Sequence, residues 1–201
     1  MAQDVDIQQH DRILDSFLKV ERYRIRHSAF GGGWVGPMNR EVVTRPTAVA
    51  VLPYDPVTEK ILLIEQFRLP AHLAGMPGWQ RELIAGLNDK NEEPEDIARR
   101  EAIEEADCQI GALKLVYQYL LSPGMATEVL HTYVGRFDSG AWKAGVHGLA
   151  VEHEDIRASL HDVAEVPEIL ATGHTGNGIL ILALQWLMLN HAQLRQDWAA
   201  S

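Results

Sequence analysis

Apolar residues fall along this chain in two patterns, and each predicts a different kind of element. Two continuous runs, Ala48-Val-Ala-Val-Leu and Ile61-Leu-Leu-Ile-Glu-Gln-Phe, have the pattern of strands buried on both faces, and Pro53-Tyr-Asp-Pro between them predicts a tight turn. The alternation Arg22-Tyr-Arg-Ile-Arg predicts instead a half-exposed antiparallel strand within residues 12–29, with residues 40–44 returning as a second strand. Between them, residues 31–36 formally match a dinucleotide-binding fingerprint. No buried strand precedes this stretch and no helix opens at Pro37, so it reads as a turn. Farther on, a β-like run Leu83-Ile-Ala closes the stretch from Trp79, and residues 113–121 and 127–137 predict two more strands. Residues 142–151 show no periodicity and lead to a loop at Glu152-His-Glu-Asp. A short strand at 156–160, a short helix from Pro167 and a long apolar helix from Asn177-Gly to about Arg195 complete the chain. Residues 1–45 thus read as a small β appendage ahead of a main domain at 46–201.

Between Gly86 and Cys108 the pattern changes to that of a helix with chemistry on one edge. Pro94 suits a first helical position, where its missing N–H costs nothing, and Glu95 and Asp96 then sit at the positive end of the helix dipole. At about 100° per residue, Ala98, Ala102 and Ala106 form a narrow stripe that lets the helix lie close on a sheet. Glu101, Glu104 and Glu105 share the adjoining arc. Like charges at this spacing repel by a few tenths of a kcal/mol unless something positive compensates, and converging carboxylates suit a hard cation such as Mg²⁺ or Mn²⁺.

Composition narrows the partners. At 201 residues and 46% hydrophobic, the chain fits one well-cored domain with an appendage. A net charge of −10 without a basic stripe argues against nucleic acid, and a small phosphate-bearing substrate then needs a cation and a few placed arginines beside it. Cys108 is the only cysteine, so no intrachain disulfide forms, and the polar N-terminus lacks a signal-peptide core; a cytoplasmic protein is expected. The longest nearly apolar run, residues 179–189, is broken by Gln185 and falls short of the roughly 20 residues of a membrane span. There is no His-Glu-x-x-His and no Gly-x-Ser-x-Gly, which sets aside zinc protease and serine hydrolase chemistry.

The spacing Gly86-x5-Glu92-x7-Arg100-Glu-Ala-x-Glu104-Glu105 resembles the signature of the Nudix hydrolases. It departs from that pattern at Asp107, where the family has a glycine; at a left-handed helix end Asp costs roughly 1 kcal/mol more than Gly. Pro123, 16 residues after Asp107, stands where the ADP-ribose pyrophosphatases of that family place a proline, and Ile64-Glu-Gln-Phe-Arg, residues 148–156 and Ala183-Leu-Gln-Trp-Leu look like their bacterial members. The resemblance implies a Nudix α/β/α sandwich around a mixed β-sheet, with an N-terminal antiparallel β appendage. It implies Mg²⁺-dependent hydrolysis of a nucleoside diphosphate sugar, ADP-ribose, to AMP and ribose 5-phosphate, with Mn²⁺ as a possible substitute. By the same resemblance the metal is held by Glu101, Glu105, Glu154 and the backbone carbonyl of Ala85, with Glu152 as catalytic base and Glu104 contributing indirectly. Arg40, Arg68, Pro123 and Gly124 match substrate-contact positions. Phe17 or Tyr23 offers an aromatic face for the base, and the family's dimers, formed through N-terminal strands, imply a homodimer. Two alternatives stand beside this: a pyrophosphatase for another nucleoside diphosphate sugar such as GDP-mannose, and a non-catalytic Nudix-like nucleotide sensor, a class that typically loses the box carboxylates retained here.

Overall fold

The two continuous apolar runs form neighbouring strands, β4 (Ala48–Asp55) and β5 (Lys60–Phe67), well inside the larger of two units into which the chain folds. The computed structural model describes residues 4–172 and 176–199, apart from the side chains of Glu152 and Ala199.

The smaller unit holds the residues up to Thr47 together with Tyr119–Val129. Its strands β1 (Val5–Asp15), β2 (Lys19–Ser28) and β3 (Trp34–Thr44) form an antiparallel sheet in the order β1-β2-β3. The single strand expected within residues 12–29 is therefore two. The tail of β1 ends at Asp15, and the Ser16 N–H closes a turn on the Leu18 carbonyl before β2 begins. β1 is exposed along nearly its whole length, its apolar residues included, so it carries no burial alternation to read. Charge ties it down instead. Arg26 donates to Asp6 at 2.6 Å, while buried Glu21 accepts from the Tyr23 hydroxyl at 2.5 Å and Arg12 at 3.1 Å and meets the His10 ring nitrogen at 2.7 Å. The hydrogen bonds from Tyr23 and His10 outweigh burial and bring Glu21 down to about 2. The Ser122-Pro-Gly loop joins this unit through β3, where the Val43 N–H donates to the Met125 carbonyl and the Thr127 N–H returns to Val43. Arg45 and Glu128 pair beside it at 2.8 Å.

The larger unit adds β6 (Trp79–Glu82), β7 (Ile84–Leu87), β8 (Leu113–Leu120), β9 (Val129–Arg136), β10 (Gly145–His147) and β11 (Ile156–Asp162), and the helices α1 (Leu69–Leu73), α2 (Pro94–Ala106), α3 (Val166–Ala171) and α4 (Gly178–Ala199). The strand order is β10-β11-β5-β4-β9-β8, with β6 on β5 and β7 on β4. β4 runs parallel to β9 and antiparallel to β5 and β7, which makes the sheet mixed. Every residue of β4 is buried. Val49 and Val51 pack with Ile97, Ala98, Ala102 and Ala106 of α2, while Tyr54, of opposite parity, turns its hydroxyl to His191 of α4 at 3.0 Å. A strand covered by a helix on each face has no polar alternation, which is why the run is continuous.

Two sequence expectations shift here. Pro53, Tyr54 and Asp55 continue β4, and the turn is at residues 56–59. The buried Tyr54 anchor keeps this Pro- and Asp-rich stretch extended, and Asp55 organises the turn by accepting the Val57 and Thr58 N–H groups and the Ser139 N–H and hydroxyl. Burial alone would raise its pKa, but the hydrogen bonds from Ser139, Thr58 and Val57 lower it to about 2. The aperiodic stretch 142–151 holds β10 and the start of a 3₁₀ turn, Ala150–Glu152. A three-residue edge strand is too short to show a period. Among the described residues no helix is long and apolar enough to cross a membrane.

α2 ends where the sequence departs from the family pattern. Asp107 takes the left-handed conformation, φ 47° and ψ 41°, and the Cys108 N–H closes back on the Ala102 carbonyl at 2.9 Å. Asp107 is exposed, and a negative charge at a helix C-terminus opposes the dipole. Asp107→Gly is therefore expected to raise stability by up to about 1 kcal/mol. Urea unfolding is the measurement, and a lowered midpoint would show that Asp107 holds something in place.

Candidate active site

The alanine stripe of α2 decides where its acids stand. With Ala98, Ala102 and Ala106 sealed on the sheet, Glu105 is drawn down beside them to 4% exposure, and its Oε2 accepts the Ala85 N–H of β7 at 3.1 Å. One turn earlier, Glu101 lies over Gly86; a Cβ at residue 86 would sit 1.9 Å from its Oε1. Glycine is needed there for space, not for backbone freedom. Arg100 gathers the remaining charge. Its Nη1 donates to Glu101 at 2.8 Å and to Glu104 at 3.0 Å, and its Nε and Nη2 donate to Glu92 at 3.3 and 3.1 Å. Burial works against the Arg100 charge, but Glu101, Glu92 and Glu104 together raise its pKa.

Glu154 comes from the segment after β10. Gly148, at φ 104°, lies so close that a Cβ on it would meet the Glu154 Cβ at 2.6 Å, and the Leu149 N–H donates to Glu154 Oε2 at 2.9 Å. The Gly148 N–H in turn donates to the Glu104 carbonyl of α2 at 3.3 Å. Burial pushes Glu105 up to about 8; the Ala85 N–H opposes this, and the charges of Glu101 and Glu154 add to it. Glu101 is also raised, by burial first, with Arg100 opposing and Glu104 and Glu154 adding.

A buried carboxylate held up by two carboxylate neighbours is short of positive charge. Oxygen donors from α2, from the Glu154 segment and from the β7 backbone are the donor set of a hard divalent ion. With Arg100 lodged against Glu101 and Glu104, no three His, Cys, Asp or Glu side chains among the described residues stand around one point.

Arg68, at the end of β5, lines a cavity of about 220 Å³ with Glu82, Leu83, Ala85, Asn177 and Ile179. Its Nε and Nη2 donate to Glu82 at 2.7–3.1 Å, which leaves Nη1 without a hydrogen-bond partner among the described residues. Burial disfavours its charge, yet Glu82 keeps the pKa raised. Glu82 is 6% exposed, and sequence reasoning misses it; its one signal is an acid that ends a strand entering an apolar run, since buried acids are almost always paired. A larger cavity, about 580 Å³, lies at the far end of β4 around Asp55, Gln109 and Arg136 and touches none of the box acids, so size does not mark the site.

Of the predicted site residues, the larger unit thus carries Arg68, Ala85, Glu101, Glu104, Glu105 and Glu154. The backbone of Glu152 lies in the 3₁₀ turn just before Glu154, and its side chain is outside the described residues. The smaller unit carries Phe17, Arg40, Pro123 and Gly124. Phe17 is 87% exposed beside the Arg45 guanidinium, and the exposed Arg40 guanidinium donates to its neighbour's carbonyl, that of Asn39. Tyr23 stacks on His10 at 4.4 Å with the rings 1° from parallel, which occupies one of its faces.

The NUDIX domain model matches residues 44–183. The chain belongs to the Nudix family. This Nudix chain is 38% identical over 202 residues to the ADP-ribose pyrophosphatase of Haemophilus influenzae, covering 99% of this chain and 93% of that one. It is 37% identical over 196 residues to the ADP-ribose pyrophosphatase of Escherichia coli, covering 98% and 93%. The GDP-mannose pyrophosphatase of Escherichia coli is 33% identical over 153 residues, 76% of this chain and 78% of that one. A crystal structure of an ADP compounds hydrolase superposes with a TM-score of 0.67 at 18% identity over 92% of this chain and 94% of that one, which shows the shared fold. The Nudix signature coincides with β7, α2 and the acids just described.

Proposed function

We propose that this Nudix protein hydrolyses the diphosphate of ADP-ribose to AMP and ribose 5-phosphate, with Mg²⁺ as its ion and Mn²⁺ as a substitute. The observation that carries the reading is the similarity to ADP-ribose pyrophosphatases along 99% of the chain, against 76% for the GDP-mannose enzyme. A bound divalent ion would neutralise phosphate oxygens and make a bound water more acidic. Glu101, Glu105, Glu154 and the Ala85 carbonyl are the groups that would hold it. Arg68, oriented by the hydrogen bonds that its Nε and Nη2 donate to Glu82, offers Nη1 to a phosphate oxygen. Glu152 takes the proton from the attacking water. Glu104 acts through Arg100, whose position it shares with Glu101. The roles of Phe17, Arg40, Pro123 and Gly124 in holding substrate rest on the family resemblance.

We further propose a homodimer that uses the N-terminal appendage, residues 1–45, with 46–201 as the hydrolase domain. A three-stranded sheet with Val5, Ile7, Ile13, Leu14, Trp34 and Val35 exposed has too little of its own to bury these side chains. A cytoplasmic location fits the single buried thiol of Cys108.

The test is mass spectrometry of products from ADP-ribose and GDP-mannose offered together in ¹⁸O-water with Mg²⁺. Labelled AMP or ribose 5-phosphate is expected, with activity lost in EDTA. Preferential consumption of GDP-mannose would favour the other nucleotide sugar, and full activity in EDTA would remove the ion from the mechanism.

A further inference from the structure

A helix ends with carbonyls that have no intrahelical donor. At the end of α2 the Asp107 and Cys108 N–H groups take the carbonyls of Ile103 and Ala102. Of the three carbonyls that follow, those of Glu104 and Ala106 are taken by a single stretch of chain outside the helix. The indole Nε1–H of Trp142 donates to the Ala106 carbonyl at 2.7 Å, and the Gly148 N–H donates to the Glu104 carbonyl at 3.3 Å. Trp142 is half-buried and packs against the core shared by β4 and α2. Between the two attachments, Gly145–His147 pairs with β11. Immediately after the second, the Leu149 N–H holds the Glu154 carboxylate and Gly148 seats its Cβ.

We propose that Trp142 is a positioning residue: its indole bond to Ala106 fastens residues 142–149 to the end of α2 and so sets where Glu154 stands relative to Glu101 and Glu105. The geometry makes the indole the stronger of the two attachments. Its bond is the shorter, 2.7 Å against 3.3 Å, and the Gly148 bond is near the limit of useful length. Glu101 and Glu105 are fixed by the helix, so the one acid whose place depends on a separate segment is Glu154. The box supplies only the accepting carbonyls, Ala106 and Glu104; the indole donor comes from Trp142, in a stretch whose sequence has no period. The inference rests on the metal-dependent reading above for its consequence in catalysis, but not for the restraint itself.

Trp142→Phe keeps an aromatic ring in the packing and removes the donor, together with the extra volume of the indole. Three measurements on the full chain separate positioning from simple support. Amide hydrogen exchange without metal should quicken at residues 147–149. Mn²⁺ binding followed by electron paramagnetic resonance, without substrate, should weaken roughly three- to tenfold, the scale of one lost hydrogen bond. The Mg²⁺ concentration for half-maximal ADP-ribose hydrolysis should rise in step, with turnover at saturating Mg²⁺ nearly retained. Unchanged exchange and Mn²⁺ affinity would overturn the proposal, as would lower turnover at unchanged metal affinity. Gly148→Ala attacks the same segment from its other end, because the added Cβ collides with that of Glu154, and it should weaken Mn²⁺ at least as much. If Mn²⁺ binding is intact in that variant, the segment does not govern Glu154 and the proposal fails. A parent protein that binds Mn²⁺ but leaves ADP-ribose untouched would instead remove the substrate reading and leave the restraint standing.

Discussion

Glu152→Gln is expected to slow turnover by roughly 10²- to 10⁴-fold while substrate and Mg²⁺ affinity change little, because the amide keeps size and hydrogen bonding but cannot take a proton. Glu154→Gln should behave differently. Its carboxylate accepts from the Leu149 N–H and raises the pKa of Glu105 by its charge, so it belongs to the group of acids that converge on α2. Losing that charge leaves fewer hard oxygen donors, and part of the defect should yield to added metal. Turnover measured against Mg²⁺ concentration distinguishes the two. Rescue of Glu152→Gln by metal, with none for Glu154→Gln, would mean that the roles are exchanged. If neither substitution matters, the base is to be sought on α2, first at Glu104.

Gly86→Ala is expected to be nearly as damaging, although it adds one methyl group. The new Cβ would lie 1.9 Å from Oε1, 2.2 Å from Cδ and 2.5 Å from Cγ of Glu101, so the whole carboxylate must move. The side chain can swing away, and the fold should survive with a stability loss of about 1–3 kcal/mol. A displacement of about 1 Å in a group that positions the reaction can cost on the order of 10²-fold. Loss of that size in kcat/KM, with far-ultraviolet circular dichroism unchanged, is the expected result. Gly31→Ala, where the added Cβ meets nothing within 4 Å, is the control that should leave activity intact. Full activity in Gly86→Ala would show that Glu101 is not needed where it stands.

The sequence was most legible where one period governed one environment. The buried strands β4 and β5 and the alanine stripe of α2 each answer to a single neighbour or pair of neighbours, and their patterns state it directly. Legibility failed where a long-range bond overrode local chemistry. Pro53-Tyr-Asp reads as a turn until Tyr54 is seen reaching His191, and β1 has no alternation because its ties are charge pairs on an exposed sheet. In the site, the acids of α2 were legible because helical spacing places them. Glu82 and Trp142 were not, since their partners, Arg68 and the Ala106 carbonyl, are 14 and 36 residues away. Arg100 was visible as part of a motif, but its grip on three glutamates at once was not, because Glu92 lies before the helix begins.

The loop at residues 119–129 that completes the smaller unit has a consequence for how the chain is made. β3 is bridged to it through Val43, with partners at Met125 and Thr127. During synthesis at about 5–20 residues per second, the 84 residues between Val43 and Thr127 delay that closure by about 4–17 s. Over that interval β4 to β8 and α2 emerge, so β3 gains its bridge at Val43 only after those elements have been made.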